Sequence, residues 1–228
     1  MRCLLFIAAS LFAPAPCHAG DPNGAQTRWL QAGAAVIDYA KQQRMPLDVT
    51  FQRHAKAGDA PLSIAFDGRR CQLVFAVRDN PDADTTLAQL DPELLTPVVE
   101  AMVAHELGHC WRFVRGAWHT VPAGFARSRD KDRDRELERL NRSMRETRRE
   151  EGFADLVGLA WTHARHPALY DAVHGWFSRT RGDPPVAGAH HDTGAWLELA
   201  KDPRMFLTSG NPFEAAWPLW MEGLRKGN

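Results

Sequence analysis

Apolar positions in the segment AQTRWLQAGAAVIDYAKQQR, residues 25–44, recur at helical spacing. Trp29, Ala32, Val36, Ile37 and Ala40 share one face, which predicts an amphipathic helix that Pro46 stops. The period then changes to two: Leu47, Val49 and Phe51 alternate with polar neighbours, as in a half-buried strand. Two further apolar runs, 62–66 and 71–77, flank Asp67-Gly68, a hairpin signal. These three runs predict one small sheet. Residues 79–92, rich in Asp, Pro and Thr, read as a loop. Thr96-Pro97 predicts the start of the next helix, with threonine as cap and proline at the first helical position. That helix runs to about Arg115 and is closed by Gly116. A helical pattern resumes from Asp130 to His166 and is closed by Pro167. Its first half carries both signs of charge, as a solvated, ion-paired face does. Residues 180–189 read as a Gly/Pro loop, and helical segments near 192–201 and 212–226 finish an α+β chain.

The N-terminus departs from this pattern. Met1-Arg2, the apolar run CLLFIAASLFA and then PAPCHAG predict a signal peptide, residues 1–19, cleaved after Ala19. The run is too short to span a bilayer, and no later segment is long and apolar enough to do so. The remaining residues, 20–228, are expected to form a single domain that is periplasmic or secreted. A lipid anchor would need Cys17, but Pro16 occupies the position where a small residue belongs. Export removes Cys3 and Cys17 and leaves Cys71 and Cys110. Two cysteines in an oxidising compartment predict one disulfide, worth about 4 kcal/mol by loop closure; the alternative is two separate buried thiols. The 28 basic and 28 acidic residues balance, so no overall field favours nucleic acid or an anionic membrane.

The chemistry concentrates in AMVAHELGHCW, residues 101–111. Residues four apart on a helix lie about 40° apart around its axis, so His105 and His109 aim at one point. Zinc accepts neutral imidazole nitrogen, and a catalytic zinc takes three protein ligands and keeps one position for water. Glu106 borders that point without having to bind the ion, where a general base belongs. By spacing alone the two histidines also suit a hydrogen-bonded core. Cys110 points away by the same spacing. Arg112 and Arg115 stand where a metzincin requires glycine and histidine, which excludes that class. His119 follows the helix end and is a poor third ligand.

A better third ligand lies in REEGFADLVGLAW, residues 149–161. Glu151 and Asp155 are four apart, and the surrounding Phe153, Ala154, Leu156 and Val157 predict burial. Carboxylates are seldom buried without a partner. One of the two can bind a metal while the other accepts the second N–H of a ligating imidazole. Glu150 is the rival ligand, but Glu151 has the four-residue partner. Trp111, Trp161 and Trp196 are expected to be core.

HELGH followed by EGFAD resembles the H-E-x-x-H and E-x-x-A-D pair of the CAAX prenyl proteases and their soluble periplasmic relatives, within the gluzincin metallopeptidases. The resemblance covers residues 98–161. It implies a zincin-like fold and one zinc ion per chain, held by His105, His109 and Glu151. It further implies Glu106 as general base, Asp155 as partner of a zinc histidine, and a polypeptide substrate. AHHDT, residues 189–193, looks like the A-H-P-x-T stretch of those relatives. By position His190 would donate to the tetrahedral intermediate. His191, standing where the family has proline, is the alternative donor, and Trp196 stands where the family has arginine. Zincins pair an extended substrate with an edge strand, and runs 62–66 and 71–77 are the candidates. A Cys71–Cys110 bridge would tie that sheet to the HELGH helix. The competing function is a catalytically silent zinc-binding chaperone or assembly factor of the cell envelope. A structural zinc has no need of Glu106 beside it. Hydrolysis of a carbonyl other than a peptide's is a third reading.

Overall fold

The structure, a computed structural model, describes residues 24–123, 125, 135–182, 189–206 and 210–226. The expected leader, residues 1–19, lies outside them, as do most of the 180–189 loop and residues 130–134 of the expected long helix. Helix α1 (Gly24–Gln42) buries Trp29, Ala32, Val36, Ile37 and Ala40, the face its spacing predicts. Arg44 ends it with a φ of 56°, and the Met45 N–H reaches back to the Ala40 carbonyl at 3.0 Å. This is a left-handed cap that closes the helix before Pro46.

Strands β1 (Leu47–Phe51), β2 (Leu62–Phe66) and β3 (Cys71–Phe75) form one mixed sheet in the order β1-β3-β2. β2 and β3 are the expected antiparallel hairpin. Gly68 turns it with a φ of 93°, and the Asp67 carboxylate accepts from the Arg69 and Arg70 N–H groups at 2.8 and 2.7 Å. β1 lies parallel to β3 on the other side, Val49 opposite Leu73. Run 71–77 is therefore the central strand and not an edge, because Cys71, Leu73 and Phe75 are wholly buried between two neighbours. Only β2 remains as the candidate edge beside the HELGH helix. The Ala76 N–H to Pro61 carbonyl and Asp67 N–H to Arg70 carbonyl bonds fix which residues pair. In that register Ser63 and Ala65 bond to β3, while Leu62, Ile64 and Phe66 turn their backbone groups outward.

Residues 79–92 are not all loop. Helix α2 (Pro81–Ala88) starts where the Asn80 side chain accepts from the Asp82 N–H, with Asp82 and Asp84 in its first turn. It buries only Ala83 and Leu87, too little periodicity to stand out in the sequence. Helix α3 (Pro92–Val114) begins a turn before Thr96-Pro97 and holds Pro97 inside. The bond Pro97 cannot donate would have gone to Glu93 in the first turn, where disruption costs the helix least. At the other end Gly116 adopts a φ of 61° and bonds to the Phe113 carbonyl, as predicted.

Helix α4 (Arg135–Arg165) has two characters. Its first half is exposed and ion-paired, as with Glu138 and Arg142 at 2.9 Å. Residues 150–162 are buried on every side. α3 and α4 run antiparallel and touch backbone to backbone. A Cβ on Gly158 would lie 2.7 Å from the Ala101 carbonyl oxygen, and one on Gly108 would lie 3.1 Å from the Ala154 Cα. The pattern does not anticipate helix α5 (Tyr170–Arg181), which follows a short 3-10 turn opened by Pro167. Helices α6 (Gly194–Leu199) and α7 (Pro212–Arg225) match the expected C-terminal segments. Buried side chains from the sheet and helices join in one hydrophobic cluster. Trp161 and Trp196 lie in it, with Trp111 packed against it between Phe153 and Phe213. Cys71 and Cys110 form a disulfide with Cα atoms 5.9 Å apart, tying the central strand to α3. No helix among the described residues is long and apolar enough to cross a membrane.

Candidate metal centre

The close α3–α4 contact brings two pairs of side chains together from residues some fifty positions apart in the chain. His105 and His109 project from α3, and Glu151 and Asp155 from α4; all four are buried. The two Nε2 atoms are 3.1 Å apart. Glu151 Oε2 lies 3.5 Å from His105 Nε2, and its Oε1 lies 3.4 Å from His109 Nε2. Three donors at about 2.0–2.1 Å from one centre, at tetrahedral angles, stand about 3.3–3.4 Å from each other. The observed triangle has that size, so His105, His109 and Glu151 form a buried group that could hold a metal ion.

Asp155 does not join the triangle. Its Oδ1 accepts from His105 Nδ1–H at 2.8 Å, which leaves the His105 Nε2 lone pair facing the cleft. Asp155 Oδ2 accepts from Thr193 Oγ1 at 2.6 Å and from Arg181 Nε at 3.2 Å, and Oδ1 accepts also from Arg181 Nη2 at 3.1 Å. Arg181 Nη2 is also 3.4 Å from Glu151 Oε2. Burial alone would raise the Asp155 pKa, but Arg181 and His105 hold it below the ordinary carboxylate value. Burial likewise opposes ionisation of Glu151, yet the hydrogen bond to His109 and the two imidazoles bring it down from 4.5 to about 2. His109 shows the complement: burial lowers its pKa, and Glu151 outweighs that so that the net shift is upward.

Glu106 lines the same cavity, about 450 Å³ in volume, as the triangle. Burial pushes its carboxyl pKa up, against the pull of His105 and His109. Among the described residues it has no hydrogen-bond partner, so its oxygens stay free. Glu150, the rival ligand, turns away and pairs with Arg112 at 2.8 and 2.9 Å. His119 also lies off the site, beside Glu146. The two loop histidines separate: His191 lines the cavity with Nε2 3.5 Å from Glu151 Oε2. His190 does not line it; its exposed ring lies tilted against that of His191, with centroids 4.1 Å apart. Of the two expected donor positions, the cavity is therefore lined by the alternative, His191, because successive residues of this turn point in different directions. Burial lowers the His191 pKa, favouring a neutral ring. Trp196, where an arginine was expected, is core.

Arg181 is the residue the sequence reading missed, together with the helix that carries it. Tyr170, Val173 and Phe177 are its buried face, a helical spacing that would have located α5 and placed Arg181 one turn past Phe177. The cavity's remaining lining includes outward-facing β2 and the aromatic rings of Phe113, Trp118 and Trp176. No protein family, curated protein or solved structure matches this chain.

Proposed function

We propose that this protein is an exported, zinc-dependent metallopeptidase of zincin-like design, similar to the gluzincins. The observation that carries the reading is a tetrahedral-sized His105–His109–Glu151 triangle opening into the same cleft as an unpartnered Glu106. Bound zinc would supply Lewis acidity, lowering the pKa of water and polarising a peptide carbonyl. Glu106 takes the proton of the attacking water and delivers it to the leaving amine nitrogen. His191 donates to the oxygen that becomes negative, worth about 2.7–4 kcal/mol for a well-placed donor. Arg181 keeps a positive charge at the cleft while holding Asp155 and, through it, the His105 tautomer. The outward N–H and C=O groups of Leu62 and Ile64 pair with an extended substrate backbone. The disulfide supports export, since such bonds persist in oxidising compartments.

Glu106→Gln separates this reading from a silent zinc-binding factor. The variant should retain one zinc per chain by elemental analysis and lose hydrolysis of a mixed protein digest by at least about 100-fold. Equal digestion by both proteins removes Glu106 from the chemistry. Metal bound with no chelator-sensitive cleavage by the parent favours the chaperone or assembly factor.

A further inference from the structure

Glu150 and Arg112 are each 1% exposed and paired through two hydrogen bonds. A buried pair of this kind seldom adds stability over an apolar pair of the same shape, so what it holds in place matters. Its other bonds go to the loop after α3. Glu150 Oε1 accepts from the His119 N–H at 2.9 Å, and Arg112 Nη2 donates to the Thr120 carbonyl at 2.7 Å. Within the loop the Thr120 N–H and Oγ1 both donate to the Ala117 carbonyl, at 3.0 and 2.8 Å. His119 sits at a φ of 57°, a conformation that residues with a Cβ adopt only when their surroundings require it. The loop's shape is thus imposed by its anchors.

That loop presents Trp118. The indole stacks on Phe113, with centroids 3.9 Å apart, and meets the ring of His109 nearly edge-on at 5.5 Å. It lines the cleft together with Ile64, Met102 and Trp176. Among the described residues, the charged and imidazole groups lining the cleft, Glu106, Glu151, Arg181 and the three histidines, all belong to the metal constellation. The rest of the described lining offers a charged side chain no counter-charge, so its water would be stripped uncompensated there.

We infer that Trp118 is the specificity-determining wall of the cleft, that the Arg112–Glu150 pair positions it, and that together they select a large apolar side chain beside the bond to be cut. This rests on the peptidase reading above. The zinc-loaded mature chain is titrated calorimetrically with acetohydroxamate, then with hydroxamates carrying benzyl, isobutyl, carboxyethyl or aminobutyl groups. The benzyl and isobutyl probes should bind at least about tenfold tighter than the charged ones. Trp118→Ala should remove most of that advantage, read as the ratio of benzyl to acetohydroxamate affinity within each zinc-loaded protein. Arg112→Lys, which keeps the charge but loses the fork, should do the same, with thermal unfolding reporting its fold. Equal binding of benzyl and charged probes by the parent overturns the inference, as does a Trp118→Ala variant that keeps the preference. A folded Arg112→Lys variant with intact preference overturns the positioning role. If that variant fails to fold, the parent series and Trp118→Ala decide. Failure of acetohydroxamate to bind at all overturns the metallopeptidase reading itself, and this inference with it.

Discussion

Asp155→Asn tests whether the carboxylate behind His105 serves the metal or only the fold. Asp155 is fully buried and receives four donors on two oxygens: His105 Nδ1, Thr193 Oγ1, and Arg181 Nε and Nη2. Asparagine keeps the shape but offers one acceptor oxygen and turns an NH2 towards donors. Arg181, only 14% exposed, then keeps just the longer 3.4 Å contact with Glu151 as its contact to a negative charge among the described residues. Leaving a buried charge without its partner costs about 3–5 kcal/mol. Arg181 borders the cleft and can recover some hydration, so the lower figure applies. For a chain of this size that is a fall in Tm of about 6–12 °C. Independently, a histidine ligand without its carboxylate acceptor binds metal about 10–100-fold less tightly. The double variant Asp155→Asn/Arg181→Met removes the stranded charge. It should regain most of the stability but none of the metal affinity. Thermal unfolding of the metal-free proteins and competition with a zinc chelator read the two quantities separately. Parent-like zinc affinity in Asp155→Asn would refute the reasoning, whatever happens to stability.

Three further outcomes follow from the same geometry. Gly158→Ala forces a Cβ to within 2.7 Å of the Ala101 carbonyl oxygen, so α3 and α4 must part. Overpacking costs about 1–3 kcal/mol, offset by about 1 kcal/mol of helix propensity, and zinc affinity should drop more than Tm in paired measurements. Acid should destabilise the metal-free protein. Glu151 is held down from 4.5 to about 2, and Asp155 is also lowered. The unfolded chain therefore binds more protons as pH falls below 4.5, so the stability these groups contribute is present above that value and lost towards 2; urea melts across that range measure it. Replacing Cys71 and Cys110 by alanine should lower stability by about 4 kcal/mol in the loop-closure limit, read as a shift in urea midpoint against the oxidised parent.

What the sequence discloses about this molecule follows its periodicity. His105 with His109, and Glu151 with Asp155, are legible because a four-residue interval on a helix has one geometric meaning. The buried face of α1, the Asp67-Gly68 turn and the cap at Gly116 are legible for the same kind of reason. Loops carry no period, so the choice between His190 and His191 waited for the turn at 189–193. The parallel placement of β1 depends on how residues 52–61 return, and neither strand records it, which left run 71–77 open as an edge. Arg181 was hidden because Pro167 reads as an end, while here it also opens the next element. The distinction between Glu150 and Glu151 was half legible: the four-residue partner singled out Glu151, but nothing in the local pattern tied Glu150 to Arg112, 38 positions away.

That last pair of neighbours has a consequence for assembly. Successive residues on a helix diverge by about 100°, so Glu150 and Glu151 send their charges to different destinations, one to a guanidinium and the other to two imidazoles. Sliding α4 by one residue against α3 would carry at most one of the two carboxylates to the other's partner and leave the second without its own. The guanidinium contact is complete without any ion, so it can key the two helices into alignment while the chain is still apo, and the cation then enters a cradle whose dimensions are already set.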